Sequence, residues 1–255
     1  MNKTNKLLHL SVKAGQILLE NGSETSRVQE TVRRILHAHG ITESDTFAMP
    51  TGIFSSLTDK NGETYSLIRR IPRRSINLEK ISRINALSFS LNKRLLLPEE
   101  IETELESIGA IKHYRKTIDL LFAGLATGSC TLLFGGSLMD LPAAFAIGVI
   151  VKGLSLLLSK VRFNEFFTYI LGGAIAAFLA LAAVHFGLAQ NVDKVIIGSI
   201  MLLVPGLIIV NGIRDTLSGD LVAGISRIAE AVIVALAIAA GTGMVLKLWH
   251  YLPVR

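Results

Sequence analysis

The sequence predicts an integral membrane α-helical protein, with five transmembrane helices over residues 118–255 and an N-terminal cytoplasmic α+β domain over residues 1–117. Three observations lead there. Half of the 255 residues are hydrophobic, 18% are charged and mean hydropathy is +0.50, too apolar for an ordinary soluble domain of this size. The charge is uneven, with 18 lysines and arginines against 13 acids up to residue 117 and 8 against 7 beyond it. The second half also holds five apolar stretches, each near the ~20 residues that cross a bilayer. The basic excess does not point to nucleic acid, because acids are interleaved with it and no recognition motif appears. A domain beside anionic lipid headgroups explains it more simply. Cys130 is the only cysteine and lies in an apolar run, so no intrachain disulfide forms. The opening residues lack the apolar core of a signal peptide, because Lys13 interrupts it.

In the first half, Leu7, Leu8, Leu10, Ile17, Leu18 and Leu19 follow helical spacing over residues 5–20. Asn21-Gly22 reads as a helix stop and Ser23 as the cap of the next helix, which runs through Val28, Val32, Ile35 and Leu36 to Gly40. Glu24, Arg27 and Glu30 share a face at three-residue spacing, where local ion pairing near a helix start explains them. Arg34 reads as solvated surface of the same helix. Extended pieces follow at 45–49, 52–58 and 63–70, and Asn61-Gly62 signals a hairpin. Arg69, Arg70, Arg73 and Arg74 cluster after it as solvated or membrane-facing surface. Helices are expected at 77–96 and 98–108, the second opening with Pro98-Glu99-Glu100. No metal cluster, nucleophile–base pair or phosphate loop stands out.

The apolar stretches run over 118–138, 142–159, 166–189, 192–211 and 221–249. Lys160 and Arg162 lie between the second and third, and Arg214 and Arg227 flank the join of the fourth and fifth. By the positive-inside rule these loops and the N-terminal domain face the cytoplasm and the C-terminus lies outside. Gly124/Gly128 and Gly172-Gly173 with Ala176 and Ala177 provide small faces that read as helix-packing signals, and the two glycine pairs are also candidate docking surfaces for a partner. Lys152, Arg227 and Glu230 are charges inside apolar segments, each costing ~2.5–3.5 kcal/mol at a helix centre, so they are expected to face a cavity or one another.

The stretch 192–230 organises the second half. Pro205-Gly206 falls within its apolar first part, and proline removes a backbone donor there. Freed backbone groups at membrane depth are tolerated only where protein or water satisfies them, so the break is a candidate cavity lining. A proline kink followed by a solvated loop is the other reading. Asn211, Arg214, Asp215, Asp220, Arg227 and Glu230 supply polar groups around the break.

Two passages, A-G-Q-I-L-L-E-N-G-S-E-T-S-R-V-Q-E-T from Ala14 and V-P-G-L-I-I-V-N-G-I-R-D-T-L-S-G-D-L-V-A-G-I-S-R-I-A-E-A from Val204, carry a resemblance to a known family. With Pro50-Thr51-Gly52-Ile53-Phe54, the chain resembles the bacterial threonine/serine exporter family over most of its length. The family pattern covers Glu24, Thr25, Pro205, Gly206, Arg214, Asp215, Gly219, Asp220, Arg227 and Glu230, and Arg27 lies within the first passage. Members occur as fused proteins or as split pairs, and this chain resembles the larger N-terminal component of the split form. The resemblance implies export of a small carboxylate, of threonine/serine type or succinate type, across the bacterial inner membrane under an ion gradient. It implies a smaller membrane protein as partner, with homo-oligomerisation as a further option, and no cofactor. Arg227 and Lys152 would offset a substrate carboxylate, and Glu230 or Asp215 would carry a coupling proton or bind an amino acid's ammonium group. A membrane-anchored hydrolase-like enzyme and a gating or sensory subunit are the alternatives.

Overall fold

A computed structural model describes residues 2–91, 94–112, 114–161 and 163–251. It falls into two compact units, Met1–His113 with Gly206–Ala229, and Tyr114–Pro205 with Glu230–Arg255.

The first unit begins with α1 (Lys3–Glu20), α2 (Thr25–Ala38), β1 (Ser44–Met49), β2 (Gly52–Thr58), β3 (Thr64–Arg70), α3 (Leu78–Ser90) and α4 (Pro98–Gly109). α1 is central: Leu8, Val12, Ala14, Leu18 and Leu19 are buried and pack in one core with Ile35, Ile53, Leu57, Ile84, Ile101 and Leu105. Each such aliphatic side chain contributes roughly 1.5–3 kcal/mol by leaving water. Gly15 gives α2 and the sheet their close approach, since a Cβ there would stand 2.9 Å from Val32 and 3.3 Å from Ile53. The antiparallel sheet has order β1-β2-β3, with Phe47 opposite Phe54 and Phe54 opposite Ile68. Alternation turns Ile53, Ser55 and Leu57 inward. Asn77 caps α3 by accepting from Lys80 N–H, and Glu100 accepts from Leu97 N–H at the start of α4.

Local differences from expectation have local causes. α3 ends at Ser90, and residues 92 and 93 of the expected 77–96 helix lie outside the described residues, as does Arg162 from the orientation argument. Glu24, not Ser23, is the N-cap of α2; the Ser23 side chain is buried, and its Oγ has no hydrogen-bond partner among the described residues. Arg34 is not simply solvated. Its guanidinium pairs with Glu30, donates to Ser88 Oγ at 3.2 Å and stacks 3.8 Å over the Phe89 ring, tying α2 to α3.

The second unit holds α5 (Lys116–Leu133), α6 (Asp140–Lys160), α7 (Glu165–His185), α8 (Val192–Ile200) and most of α10 (Leu221–Tyr251). Among the described helices, α6, α7 and α10 are long and apolar enough to cross a membrane. α5, with Lys116, Asp119 and several threonines and glycines, is not one of them. The fourth apolar stretch is two helices: α8 stops at Ile200, Pro205 follows, and α9 runs Gly206–Leu217. At 1.5 Å per residue neither covers the ~30 Å of a bilayer core.

The glycine pairs, candidate docking surfaces for a partner, are filled from within the chain. Gly124 faces Phe145 and Val149, Gly128 faces Leu141, Gly172 faces Leu203, and Gly173 faces the Ile238 carbonyl. A residue that sequence reading passed over organises one end of this unit. The fully buried Asp140 accepts from Ser137 N–H and Oγ–H, Gln190 N–H, Asn191 N–H and Asn191 Nδ2, fastening the turn before α6 to the turn before α8.

Candidate functional site

Every helix start leaves backbone N–H groups without intrahelical partners, and every helix end leaves carbonyls. At the α1–α2 turn these groups are met by side chains some 190 residues further along the chain. α2 has no side-chain cap of its own. Asp215 Oδ1 accepts from Thr25 N–H at 2.9 Å, so a carboxylate of α9 sits at the positive end of α2. Asp220 adds a second, accepting from Thr25 Oγ1 at 3.2 Å and Gln29 Nε2 at 3.2 Å. On the carbonyl side, Asn211 Nδ2 donates to Gly22 O and Arg227 Nη2 to Ser23 O, both at 2.8 Å. Donors thus meet the end of α1 and acceptors the start of α2.

At the centre lies an ion pair. Arg227 Nε stands 2.9 Å from Asp215 Oδ2, with the arginine 3% exposed and the aspartate fully buried. The approach has the distance of an ion pair without the alignment of a hydrogen bond. Removing one member of such a buried pair costs about 3–5 kcal/mol, because the other charge is stranded.

Glycines make the pair possible. A Cβ on Gly212 would stand 3.0 Å from Ile228 and 3.3 Å from the Gly224 carbonyl; one on Gly224 would stand 2.8 Å from the Gly212 carbonyl and collide with Thr216 Oγ1. α9 and the first turns of α10 therefore touch backbone to backbone, which sets Asp215 opposite Arg227. Gly219 closes the intervening turn at φ +89°, a conformation that disfavours a side chain.

An outer layer is more exposed. Arg27 reaches Glu24 at 2.6 Å, and Arg214 reaches it at 3.2 Å from α9. Partial burial raises the Glu24 carboxyl, but the hydrogen bonds from Arg27 and Arg214 outweigh it and hold the group below its ordinary range. Among the described residues no three His, Cys, Asp or Glu side chains gather as a metal site.

The structure thus assembles seven of the sequence-predicted residues: Glu24, Thr25, Arg27, Arg214, Asp215, Asp220 and Arg227. Gly206 opens α9 and is exposed. Lys152 on α6, Pro205 and Glu230 on α10 belong to the second unit, where Lys152 and Glu230 are half-buried and Pro205 is buried. Gln29 was missed. Its place one turn after Thr25 was the available signal, but only with Asp220 already known to face that turn.

The profile of the threonine/serine exporter family (ThrE) matches residues 9–249. The chain belongs to the threonine/serine exporter family. Within curated relatives it is 25% identical, over 97% of its length and 52% of the other chain, to a threonine/serine exporter of Corynebacterium glutamicum. It is 24% identical to a "Probable threonine/serine exporter" of Mycobacterium tuberculosis, over 93% of its own length and 45% of the other. The chain thus spans about half the length of these two exporters. It is also 22% identical to the "Probable succinate transporter subunit YjjP" of Klebsiella aerogenes, over 94% of its own length and 93% of the relative. No solved structure matches. The two passages that carried the resemblance meet in this knot: the Asn21–Thr25 turn of the first is gripped by Asn211, Asp215, Asp220 and Arg227 of the second.

Proposed function

We propose that this chain is a subunit of a secondary transporter that exports a small carboxylate, of threonine/serine or succinate type, from the bacterial cytoplasm across the inner membrane. Five crossings are formed by α5, α6, α7, the α8–α9 pair and α10, with the N-terminal domain in the cytoplasm. A smaller membrane protein completes the transporter. Family membership supports export, and near full-length similarity to a protein named as a transporter subunit supports the subunit reading.

The observation that carries the mechanism is the division of the fourth apolar stretch at Pro205. α8 packs with the membrane helices, whereas α9 packs with the N-terminal helices. Broken helices in transporters expose backbone groups to substrate or coupling ions. The Asp215–Arg227 knot is the tie by which the N-terminal domain holds the second half of that broken segment. Lys152 and Glu230, half-buried charges of α6 and α10, offset a substrate carboxylate and carry a coupling proton. Family membership favours the exporter over a membrane-anchored enzyme.

The test is reconstitution into proteoliposomes, alone and with the smaller partner, loaded in turn with labelled threonine, serine and succinate. Export of at least one with the partner present is expected. No export under any of these conditions overturns the proposal, and full export by the single chain removes the partner from it.

A further inference from the structure

Away from the knot, a cleft of about 390 Å³ opens in the N-terminal domain where α1, β3 and α4 meet. Its lining includes Lys6, His9, Lys13 and Gln16 of α1, Arg69 of β3 and Glu102 of α4. Helical spacing places the four α1 residues on one face, since 6, 9, 13 and 16 are three or four apart. Strand alternation sets the orientation of Arg69. Tyr65 and Leu67 pack on the core, and Arg69 continues their row, while Ile68 and Arg70 point the other way and are exposed. The arginine cluster read from sequence as surface is therefore split, with Arg69 turned towards α1.

Among the lining residues three cations, Lys6, Lys13 and Arg69, accompany one acid, Glu102, while further carboxylates stand beside the two lysines. Lys6 is held by Glu99 and Glu102 at 3.1 and 2.9 Å, and Lys13 stands 3.8 Å from Glu106. Gln16 donates to Glu20. Arg69 Nε is buried and has no hydrogen-bond partner among the described residues. A buried donor without an acceptor is costly, and a guanidinium matches two oxygens of a carboxylate or phosphate at once.

We infer that this cleft binds a small dianion, its oxygens received by Arg69 and Lys13 with His9 beside them. The shared chemistry is a doubly charged oxyanion of metabolite size, a dicarboxylate or a phosphate. The inference does not depend on the exporter reading, because binding is measured without transport.

The experiment is calorimetric titration of the purified full chain in nanodiscs with succinate, with inorganic phosphate, and with neutral succinamide. Saturable binding of one or both anions and none of succinamide is expected, the two anion arms separating dicarboxylate from phosphate. Arg69→Gln and Lys13→Gln each weaken binding about tenfold, the size of one lost charge-assisted contact. Arg70→Gln, next along the strand but facing outward, leaves it unchanged. If Arg69→Gln does not fold, Lys13→Gln, at a partly exposed position, decides alone. No saturable binding of either anion overturns the inference. So does binding indifferent to both cleft substitutions, which assigns the anion to another part of the chain.

Discussion

Arg227 and Asp215 are two opposite charges buried together, and their energetics are asymmetric. Arg227→Ala strands the carboxylate and is expected to destabilise the chain by about 3–5 kcal/mol. Arg227→Met combined with Asp215→Asn removes both charges at similar volume and keeps an acceptor for Thr25 N–H. Most of the lost stability should return, measured as thermal unfolding in the same detergent. If the double variant is as unstable as Arg227→Ala, the stranded-charge explanation fails. Glu24 gives a second prediction. Its folded carboxyl is held below the ordinary value of 4.5, so its stabilising effect is full above that value and disappears as pH falls through the lower folded value. Glu24→Gln should lower stability at neutral pH and converge with wild type under acid; a constant gap down the acid limb contradicts the assignment. At this scale Arg227 stands out in the sequence as a charge in an apolar run, whereas Glu24, Arg214, Asp215 and Asp220 lie in polar stretches and are pointed to by the family resemblance. The sequence did not reveal that Arg227 is paired with Asp215, or that Arg34 lies over Phe89, because those contacts join elements far apart in the chain.

At the scale of elements, the α9–α10 hairpin depends on two glycines. Gly224→Ala places a methyl against Thr216 and the Gly212 carbonyl, whereas Gly243→Ala on the same helix meets nothing within 4 Å. The first should markedly lower the unfolding temperature and the second leave it nearly unchanged; equal effects would refute the close approach. The break at Pro205 was legible, since proline in an apolar run removes a backbone donor wherever it falls. The cap of α2 was not, because its acceptor lies on α9. Nor was the role of Asp140. It reads as an acid at a helix start, yet it fastens two turns of the membrane unit through backbone and side-chain donors. The paired glycines are places of close approach, as read from the sequence, and their neighbours belong to the same chain.

For the whole molecule, the odd number of crossings proposed places the chain ends on opposite sides of the membrane. Reporter fusions at the two ends should give opposite signals, and the same signal from both would remove that topology. On the proposed function, the N-terminal domain and the second half of the broken segment work as one body through a buried charge tie. The most direct measurement is carboxylate efflux from proteoliposomes containing the partner and the Asp215→Asn, Arg227→Met chain, after its unfolding temperature is shown to match wild type. The expected result is a folded chain that no longer exports; undiminished efflux from that variant would contradict a working role for the tie.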